Sequence, residues 1–306
     1  MIRTTRISHT VFETPDLARQ VDYYANVLGL VVLDKSPKQA FFGGPSGQEI
    51  ISFVAGSSNH CLSVAFQVAP EFDFSRTADE LKKAGITCQR KSDPSPFVAE
   101  AAVLVDPKGT TVELFNGHKD IPIPRRSGGG IGVQKLGHIA FSVPNAAAIN
   151  DFYVDALGFR VSDWIEDVFA FLRCGPDHHS VNFLSGPQTF MHHIAYELTD
   201  WGHLLTACEL LGREKRPIIW GPGRHRVGHN IFAFRRDSDD NIIELYTQLD
   251  QMKDEDEGAW EARPWHPTNP LKPRVWTRPE AAPCWGMGPS PDFRRNGSQH
   301  LNLVGI

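Results

Sequence analysis

The sequence lacks the features that mark membrane and exported proteins. Within its 306 residues, no apolar run approaches the roughly 18 residues that cross a bilayer. The first residues, MIRTTRISHTVFETPD, contain no apolar core of the kind found in a signal peptide. We therefore expect a cytoplasmic protein with no membrane partner.

Cysteine and basic charge are also scarce. The five cysteines form no CxxC pair, which argues against a disulfide scaffold and against a thiolate zinc site. The formal net charge is −5, and the chain has no basic run, so we expect no nucleic-acid partner. Hydrophobic residues make up 41% of the chain, which allows a sizeable core.

What the chain does contain is an internal repeat that begins at histidines. Residues 9–30 read HTVFETPDLARQVDYYANVLGL, and residues 138–159 read HIAFSVPNAAAINDFYVDALGF. Further on, SVAFQV at 63–68 matches HIAYEL at 193–198, and DPKGTTVELF at 106–115 matches DSDDNIIELY at 237–246. His9 and Glu113 are 104 residues apart, and His138 and Glu244 are 106 apart. These nearly equal separations predict the duplication of one folded unit.

Each unit divides again into two halves. Helical stretches at 17–28, 75–84, 146–156 and 201–211 are followed by Leu-Gly or Ala-Gly, a helix stop signal. Short β-rich runs follow each helix, so the pattern is βαβββ four times over in an α+β fold. We predict a first pair of modules at 1–118, a linker at 119–135, a second pair at 136–248 and a Pro- and Trp-rich tail at 249–306. The tail is predicted to wrap the second unit and is a candidate lid.

The repeat distinguishes two adjacent histidines in the segment MHHIAYEL. Neighbouring side chains of a strand point to opposite faces, so only one of His192 and His193 is expected to face a given interior. HIAY at 193 matches HIAF at 138, which pairs His193 with His138 and predicts that His192 faces away. Glu244 lies in an apolar strand, where a carboxylate is costly unless it is paired or binds a metal.

Two imidazoles and one carboxylate from three strands can bind a metal ion. Such a set leaves coordination positions open, as in non-haem Fe(II) oxygenases. The first unit keeps His9 and Glu113 but has Ser63 in the place of His193. We therefore predict a complete metal site in the second unit only. The alternative is that these histidines are hydrogen-bonded core residues.

Several of these motifs resemble one enzyme family. GHIAF, HHIAYEL and GPGRHRVGHNIFAFRRDSDDNIIELYT are similar to motifs of the type I extradiol ring-cleaving catechol dioxygenases, in particular the homoprotocatechuate 2,3-dioxygenases, within the vicinal oxygen chelate superfamily. The resemblance covers roughly residues 5–248. It implies two barrel-like domains, Fe(II) or Mn(II) held by His138, His193 and Glu244, and cleavage of an aromatic diol by O2.

The same resemblance implies two acid–base histidines. The residue matching His179 lies near O2 in the family, and the residue matching His225 lies by the substrate oxygens. A histidine pKa near neutrality suits both proton transfers. By strand alternation, His178 should point away unless a bulge exchanges the two residues.

The chain departs from the family at the predicted substrate contacts. Phe234 stands where members usually have a tyrosine, Ala140 where some have an asparagine, and Trp220 where some have an arginine. With His229, these three residues are our predicted substrate-binding set. They favour a neutral substituted catechol or a trihydroxylated ring.

Two other classes of function stay open at this point. One is a metal-dependent isomerase, lyase or C–C hydrolase on the same scaffold, which would not use O2. The other is an inactive paralogue that binds an aromatic compound or a metal. The resemblance also suggests a homo-oligomer, assembled through the first unit.

Overall fold

The computed structural model describes residues 2–119, 129–264 and 271–295. The first unit holds strands β1–β8 and two α-helices, with a π-helical turn, Tyr23–Val27, directly after the first helix. In chain order its elements are β1 (Thr4–Thr14), α1 (Leu17–Asp22), β2 (Val31–Lys35), β3 (Gln39–Gly43), β4 (Glu49–Ala55), β5 (His60–Val68), α2 (Phe74–Lys83), β6 (Cys88–Ser95), β7 (Val98–Val105) and β8 (Thr111–Phe115).

The second unit repeats this order, and the tail adds two short strands and one helix. Its elements are β9 (Lys135–Val143), α3 (Ala146–Leu157), β10 (Arg160–Ile165), β11 (Phe169–Arg173), β12 (Val181–Ser185), β13 (Phe190–Glu197), α4 (Trp201–Arg213), β14 (Trp220–Arg224), β15 (Ile231–Arg236), β16 (Ile242–Thr247), β17 (Arg274–Trp276), β18 (Trp285–Gly286) and α5 (Pro291–Arg294). The predicted α+β fold of four βαβββ modules is confirmed.

Each unit forms one curled sheet. The first sheet runs β2-β3-β4-β1-β5-β8-β7-β6. The second has the matching order β10-β11-β12-β9-β13-β16-β15-β14, with β17 outside β10 and β18 outside β14. The described part of the tail therefore extends both edges of the second sheet.

Strand register confirms the alignment of the two units. His9 pairs with Ala65 and His138 pairs with Ala195, each between the two central antiparallel strands. Ala65 in turn pairs with Glu113, and Ala195 pairs with Glu244. Ser63 of the first unit therefore occupies the position of His193.

Helix boundaries follow local capping chemistry. All four longer helices begin after an Asp or Asn whose side chain accepts a hydrogen bond from the N–H three residues on, the usual N-cap. Gly158 ends α3 in the left-handed region, with φ 72°, as predicted. Gly212 does not end α4, which continues to Arg213; Lys215, with φ 52°, makes the left-handed turn instead.

One hydrophobic core extends across both units. At their junction, the ring of Tyr24 lies 4.7 Å from Phe53 and 6.3 Å from Tyr196. Much of the predicted linker and the tail residue Trp265 lie outside the described residues, whereas Trp260 and Trp276 are buried. In the described part of the chain, no helix is long and apolar enough to cross a membrane.

Candidate metal centre

Three side chains from adjacent strands of the second sheet converge at one point. His138 Nε2 lies 2.9 Å from Glu244 Oε2 and 3.3 Å from His193 Nε2. His193 Nε2 lies 3.4 Å from Glu244 Oε2. All three residues are buried, and within residues 2–119, 129–264 and 271–295 they are the only group of three with metal-ligating geometry. The sequence predicted this convergence from the repeat.

The three groups fit a divalent transition metal ion. Two imidazole nitrogens and one carboxylate oxygen are the donor set of the facial triad that binds Fe(II) with open positions. Burial holds the pKa of His193 well below its usual range, so the ring is neutral and its lone pair is available to a metal.

Glu244 is oriented by an amide that the sequence reading missed. Asn230 Nδ2 donates to Glu244 Oε1 over 2.8 Å, which leaves Oε2 to face the two imidazoles. Such outer hydrogen bonds fix the direction of a metal-binding carboxylate. In the sequence this residue is an Asn directly before the apolar run IFAF, and nothing there marks its contact with Glu244.

The prediction that His192 faces away is wrong. His192 is buried and lies beside His193, with 2.8 Å between their Nδ1 atoms. A register shift between Met191 and His193 interrupts the alternation of β13, as a bulge does. His192 nevertheless is not part of the converging triad, and its Nε2 has no partner in the described structure.

His179 and His178 are also adjacent buried rings. The His179 ring packs edge-on against His138, with centroids 4.2 Å apart, and it lines the cavity described below. Burial, and next the nearby His138, hold its pKa well below the usual range. His178 does not line that cavity; it contacts His179 through the two Nδ1 atoms, 2.9 Å apart.

His225 lies next to Glu244. Its Nε2 is 3.7 Å from Glu244 Oε1, and its ring stacks on Phe232 with centroids 3.8 Å apart. Burial lowers the pKa of His225 to about 4, although Glu244 opposes the shift. His225 is therefore a neutral imidazole next to the candidate metal site.

A cavity of about 490 Å³ opens onto these groups. Its lining includes the triad, His179, His192 and His225, and its walls are mostly apolar and aromatic. Of our predicted substrate contacts, Trp220 and Phe234 line the cavity, with their rings stacked 5.2 Å apart. Ala140 and His229 do not; His229 is held by Asp250, 2.6 Å away.

Asn182 is a second lining residue that the sequence reading missed. It pairs with Ala140 across the parallel strands β12 and β9, so both side chains project from the same face of the sheet. Asn182 is buried, and its Oδ1 has no partner in the described residues. A polar amide therefore lies beside Ala140, at the position where some family members have an asparagine.

The arginines near Trp220 turn away from the cavity. Arg224 donates to the carbonyl of His229, Arg235 lies over the ring of Tyr23, and Arg236 contacts Asp292. The cationic side chain in the described lining is Arg294 of the tail, which is exposed.

Comparison with known proteins identifies the family. The model of the Glyoxalase/Bleomycin resistance protein/Dioxygenase superfamily matches residues 6–114 and 135–245, one match for each sheet. The chain therefore belongs to this superfamily.

Individual relatives are distant but match over most of their length. The chain is 26% identical to metapyrocatechase 2 of Cupriavidus necator, over 80% of this chain and 82% of the relative. It is 24% identical to the iron-dependent extradiol dioxygenase of Rhodococcus jostii, over 84% and 92%.

Solved structures share the whole fold. An extradiol ring-cleaving dioxygenase from B. fuscum matches with a TM-score of 0.81 and 22% identity, over 97% of this chain and 83% of that one. A Mn(II)-bound glyoxalase from Novosphingobium aromaticivorans matches with a TM-score of 0.79 and 22% identity, over 96% and 94%.

Proposed function

We propose that this chain is an Fe(II)-dependent extradiol dioxygenase that cleaves the ring of a substituted catechol or trihydroxylated aromatic with O2. The observation that carries the proposal is the buried convergence of His138, His193 and Glu244 in a cavity flanked by His179 and His225. The similarity to a metapyrocatechase and to an iron-dependent extradiol dioxygenase supports the proposal. Mn(II) is the alternative ion, since the donor set suits both metals.

In this proposal the triad holds the ion and the two outer histidines move protons. The chemistry that such an ion supplies is the joint binding of both diol oxygens and O2, with electron transfer between them. His225, neutral and next to Glu244, accepts the proton that a diol hydroxyl loses on binding. His179, which packs against His138 and lines the cavity, is placed to exchange a proton with the O2-derived atoms. Both atoms of O2 enter the product as the ring C–C bond beside the diol breaks.

The apolar walls indicate the substrate class. Trp220, Phe234 and Phe293 form a connected aromatic wall, with Trp220 and Phe293 centroids 4.7 Å apart. Such a wall packs an aromatic ring and excludes water from the reaction. We propose a neutral substituent on the substrate. Arg294, exposed at the rim, is the group that an acidic substituent would reach instead.

The experiment begins with metal analysis of protein purified without oxygen. The protein is then loaded with Fe(II) or Mn(II) and mixed with a panel of catechols on an oxygen electrode. We expect O2 uptake, a yellow ring-opened product and preference for alkyl-substituted over carboxylate-bearing catechols. His193→Ala, treated identically, is the control. Failure of every substrate with fully loaded metal contradicts the proposal.

A metal-dependent reaction without O2 is the second candidate. The fold matches the Mn(II)-bound glyoxalase as fully as it matches the dioxygenase, and Phe234 lacks the hydroxyl expected in the dioxygenase family. Anaerobic turnover of a substrate by the loaded protein would favour this isomerase, lyase or hydrolase activity. Tight binding of aromatic compounds with no turnover, aerobic or anaerobic, would favour an inactive paralogue.

We also propose that the protein is a cytoplasmic homo-oligomer. The family resemblance supports assembly through the first unit, which carries no complete triad in its described residues. Light scattering coupled to size-exclusion chromatography measures the molar mass. A mass of one chain, 34.1 kDa, contradicts the oligomer.

A further inference from the structure

A buried chain of hydrogen bonds connects the tail of the protein to His179. Arg274 and Trp276 lie on β17, which pairs in parallel with β10 at the sheet edge. Between them they contact Asp163 on β10. Asp163 contacts His178, and His178 contacts His179. Asp163, His178 and His179 are all buried.

The partners of Asp163 are hydrogen-bond donors. The backbone N–H of Arg274 donates to Oδ1 over 2.7 Å, and the Trp276 indole N–H donates to Oδ2 over 2.9 Å. Both groups are donors only, so each carboxylate oxygen acts as an acceptor. With both oxygens accepting from these donors, Asp163 also serves as the acceptor towards His178.

This assignment fixes the protons of both histidines. His178 Nε2 lies 3.0 Å from Asp163 Oδ2, so Nε2 must carry the proton that it donates. In a neutral imidazole the other nitrogen is then an acceptor. His178 Nδ1 therefore accepts from His179 Nδ1–H over their 2.9 Å contact. The remaining nitrogen of His179, Nε2, is left with a free lone pair.

We propose that Asp163 and His178 are positioning residues that hold His179 in the Nδ1–H tautomer, ready to accept a proton at Nε2. The catalytic consequence rests on the proposed dioxygenase function. In that reaction the O–H bond of the second diol hydroxyl breaks as an N–H bond forms at His179 Nε2, and His179 later gives the same proton to an O2-derived oxygen. His178 accepts from Nδ1–H throughout, and no other group gains or loses an atom.

The inference also gives the tail strand a role. β17 places two hydrogen-bond donors on Asp163. Without them either carboxyl oxygen could carry a proton, and the direction of the hydrogen bonds from Asp163 to His179 would not be fixed. The tail segment 274–276 thus stabilises the ionised carboxylate that sets the tautomer. This role needs no movement of the tail.

The test reads the tautomer directly. The protein is labelled with ¹⁵N-histidine and loaded with diamagnetic Zn²⁺, and long-range ¹H–¹⁵N spectra report which ring nitrogen of His179 carries the proton. His179→Gln identifies the His179 signals by their loss. We expect Nδ1–H in the native protein. A native His179 with the proton on Nε2 overturns the proposal, whether or not the protein has activity.

Variants of the chain extend the test. His178→Phe removes the acceptor, so His179 should move to the Nε2–H form or to a mixture. Trp260→Phe is the matched control, because Trp260 packs on His178 with centroids 4.7 Å apart and the change leaves the hydrogen bonds of Asp163, His178 and His179 in place. We expect the control to keep the native tautomer. If His178→Phe does not fold, Asp163→Ala serves, since it frees His178 to present either nitrogen. An unchanged His179 tautomer in His178→Phe or in Asp163→Ala overturns the proposal.

Kinetics separate positioning from general damage. With metal content equal to native, His178→Phe should lower kcat at least about tenfold, a fraction of the roughly 100- to 10,000-fold that a positioned acid–base group contributes, and change KM by no more than about threefold. Trp260→Phe should keep kcat within about twofold of native. Equal kcat in the two variants, with a shifted tautomer in only one, overturns the catalytic part. A native protein without O2 uptake refutes the dioxygenase function instead, while the spectra still decide the tautomer.

Discussion

The hydroxyl of Tyr24 in the first unit lies 3.2 Å from Asp237 Oδ2 in the second, with both residues buried. The repeat-equivalent contact is also present: Tyr153 of the second unit donates to Asp106 Oδ2 of the first over 2.9 Å. Asp106 begins the turn before β8, and Asp237 begins the turn before β16. The two units therefore exchange equivalent bonds, and the turn before Glu244 is held by the unit that lacks the triad.

Removing either tyrosine hydroxyl should destabilise the protein. We expect Tyr24→Phe and Tyr153→Phe each to lower the free energy of unfolding by about 1–3 kcal/mol, because a buried carboxylate loses a donor. Urea unfolding followed by circular dichroism measures the change. Tyr246→Phe is the control, since its buried hydroxyl has no partner among the described residues. A loss as large in Tyr246→Phe would contradict the explanation.

Glu49 should make stability pH-dependent. It lies at the place in the first unit that His179 has in the second, as the registers Thr10–Ile51 and Ile139–Val181 indicate. Burial raises the pKa of Glu49 to about 7, against hydrogen bonds from Ser95 and Ser52. The pKa of Glu49 is higher in the folded than in the unfolded protein. Its contribution to the free energy of unfolding is therefore fully present below about pH 4.5 and is lost as the pH rises towards 7.

The measurement compares native protein with Glu49→Gln at pH 5 and pH 8. A shift from 4.5 to about 7 corresponds to on the order of 3 kcal/mol. We therefore expect the stability of Glu49→Gln relative to native to improve by up to that amount between the two pH values. His9 Nε2 lies 3.9 Å from Glu49 Oε2, and burial lowers the pKa of His9 to about 4, so the folded ring is neutral at pH 5 and at pH 8. A difference that stays flat with pH rules out the buried acid.

The repeat made most of the fold and the triad predictable from sequence. His138, His193 and Glu244 could be found because equivalent strands carry equivalent registers. His192 could not be placed, because a bulge reverses alternation locally and leaves no signal in residue type. Asn230 and Asp163 were missed for a different reason: their roles depend on neighbours from distant segments, and in the sequence each is an ordinary polar residue.

Metal retention should separate the two adjacent histidines. His193→Ala removes one of three donors, so we expect no stoichiometric metal after anaerobic loading and desalting. His192→Ala removes a contact to His193 Nδ1 but no donor atom of the triad. Its metal affinity should fall about 10–100-fold, as for loss of an outer partner, with near-stoichiometric metal at saturating concentration. Metal analysis by mass spectrometry decides this, and equal loss in both variants would refute the assignment.

Asn182 should assist substrate binding through its unpartnered amide. We expect Asn182→Ala to raise KM about tenfold, the effect of one hydrogen bond, with metal content unchanged. Because Ala140 is its cross-strand partner, the double variant Asn182→Ala with Ala140→Asn returns an amide to the same face. Steady-state kinetics should then show partial recovery of KM. The single variant Ala140→Asn is the control, and a double variant no better than Asn182→Ala would show that the amide acts only by packing.

Phe234 is the position where adding one atom should trade stability for rate. It pairs with Glu244 across β15 and β16 and lies edge-on to His193, with centroids 5.4 Å apart. Phe234→Tyr adds a hydroxyl towards the cavity, where a hydrogen bond to an ionised substrate oxygen is worth about 1.5–3 kcal/mol. We expect kcat for O2 uptake to rise by up to about tenfold with a good catechol.

The cost of the same change falls on the aromatic wall. Without substrate, the rings of Trp220, Phe232 and Phe293 pack against Phe234, and burying the new hydroxyl unpaired costs about 1–3 kcal/mol. Phe234→Tyr should therefore unfold at lower urea concentration than native protein, and saturating catechol should restore part of the loss. Phe232→Tyr is the matched control, in a buried ring 5.3 Å from Phe234 that is absent from the cavity lining. A rise in kcat shared by both variants would show that general loosening of the wall, and not a hydroxyl at position 234, limits turnover.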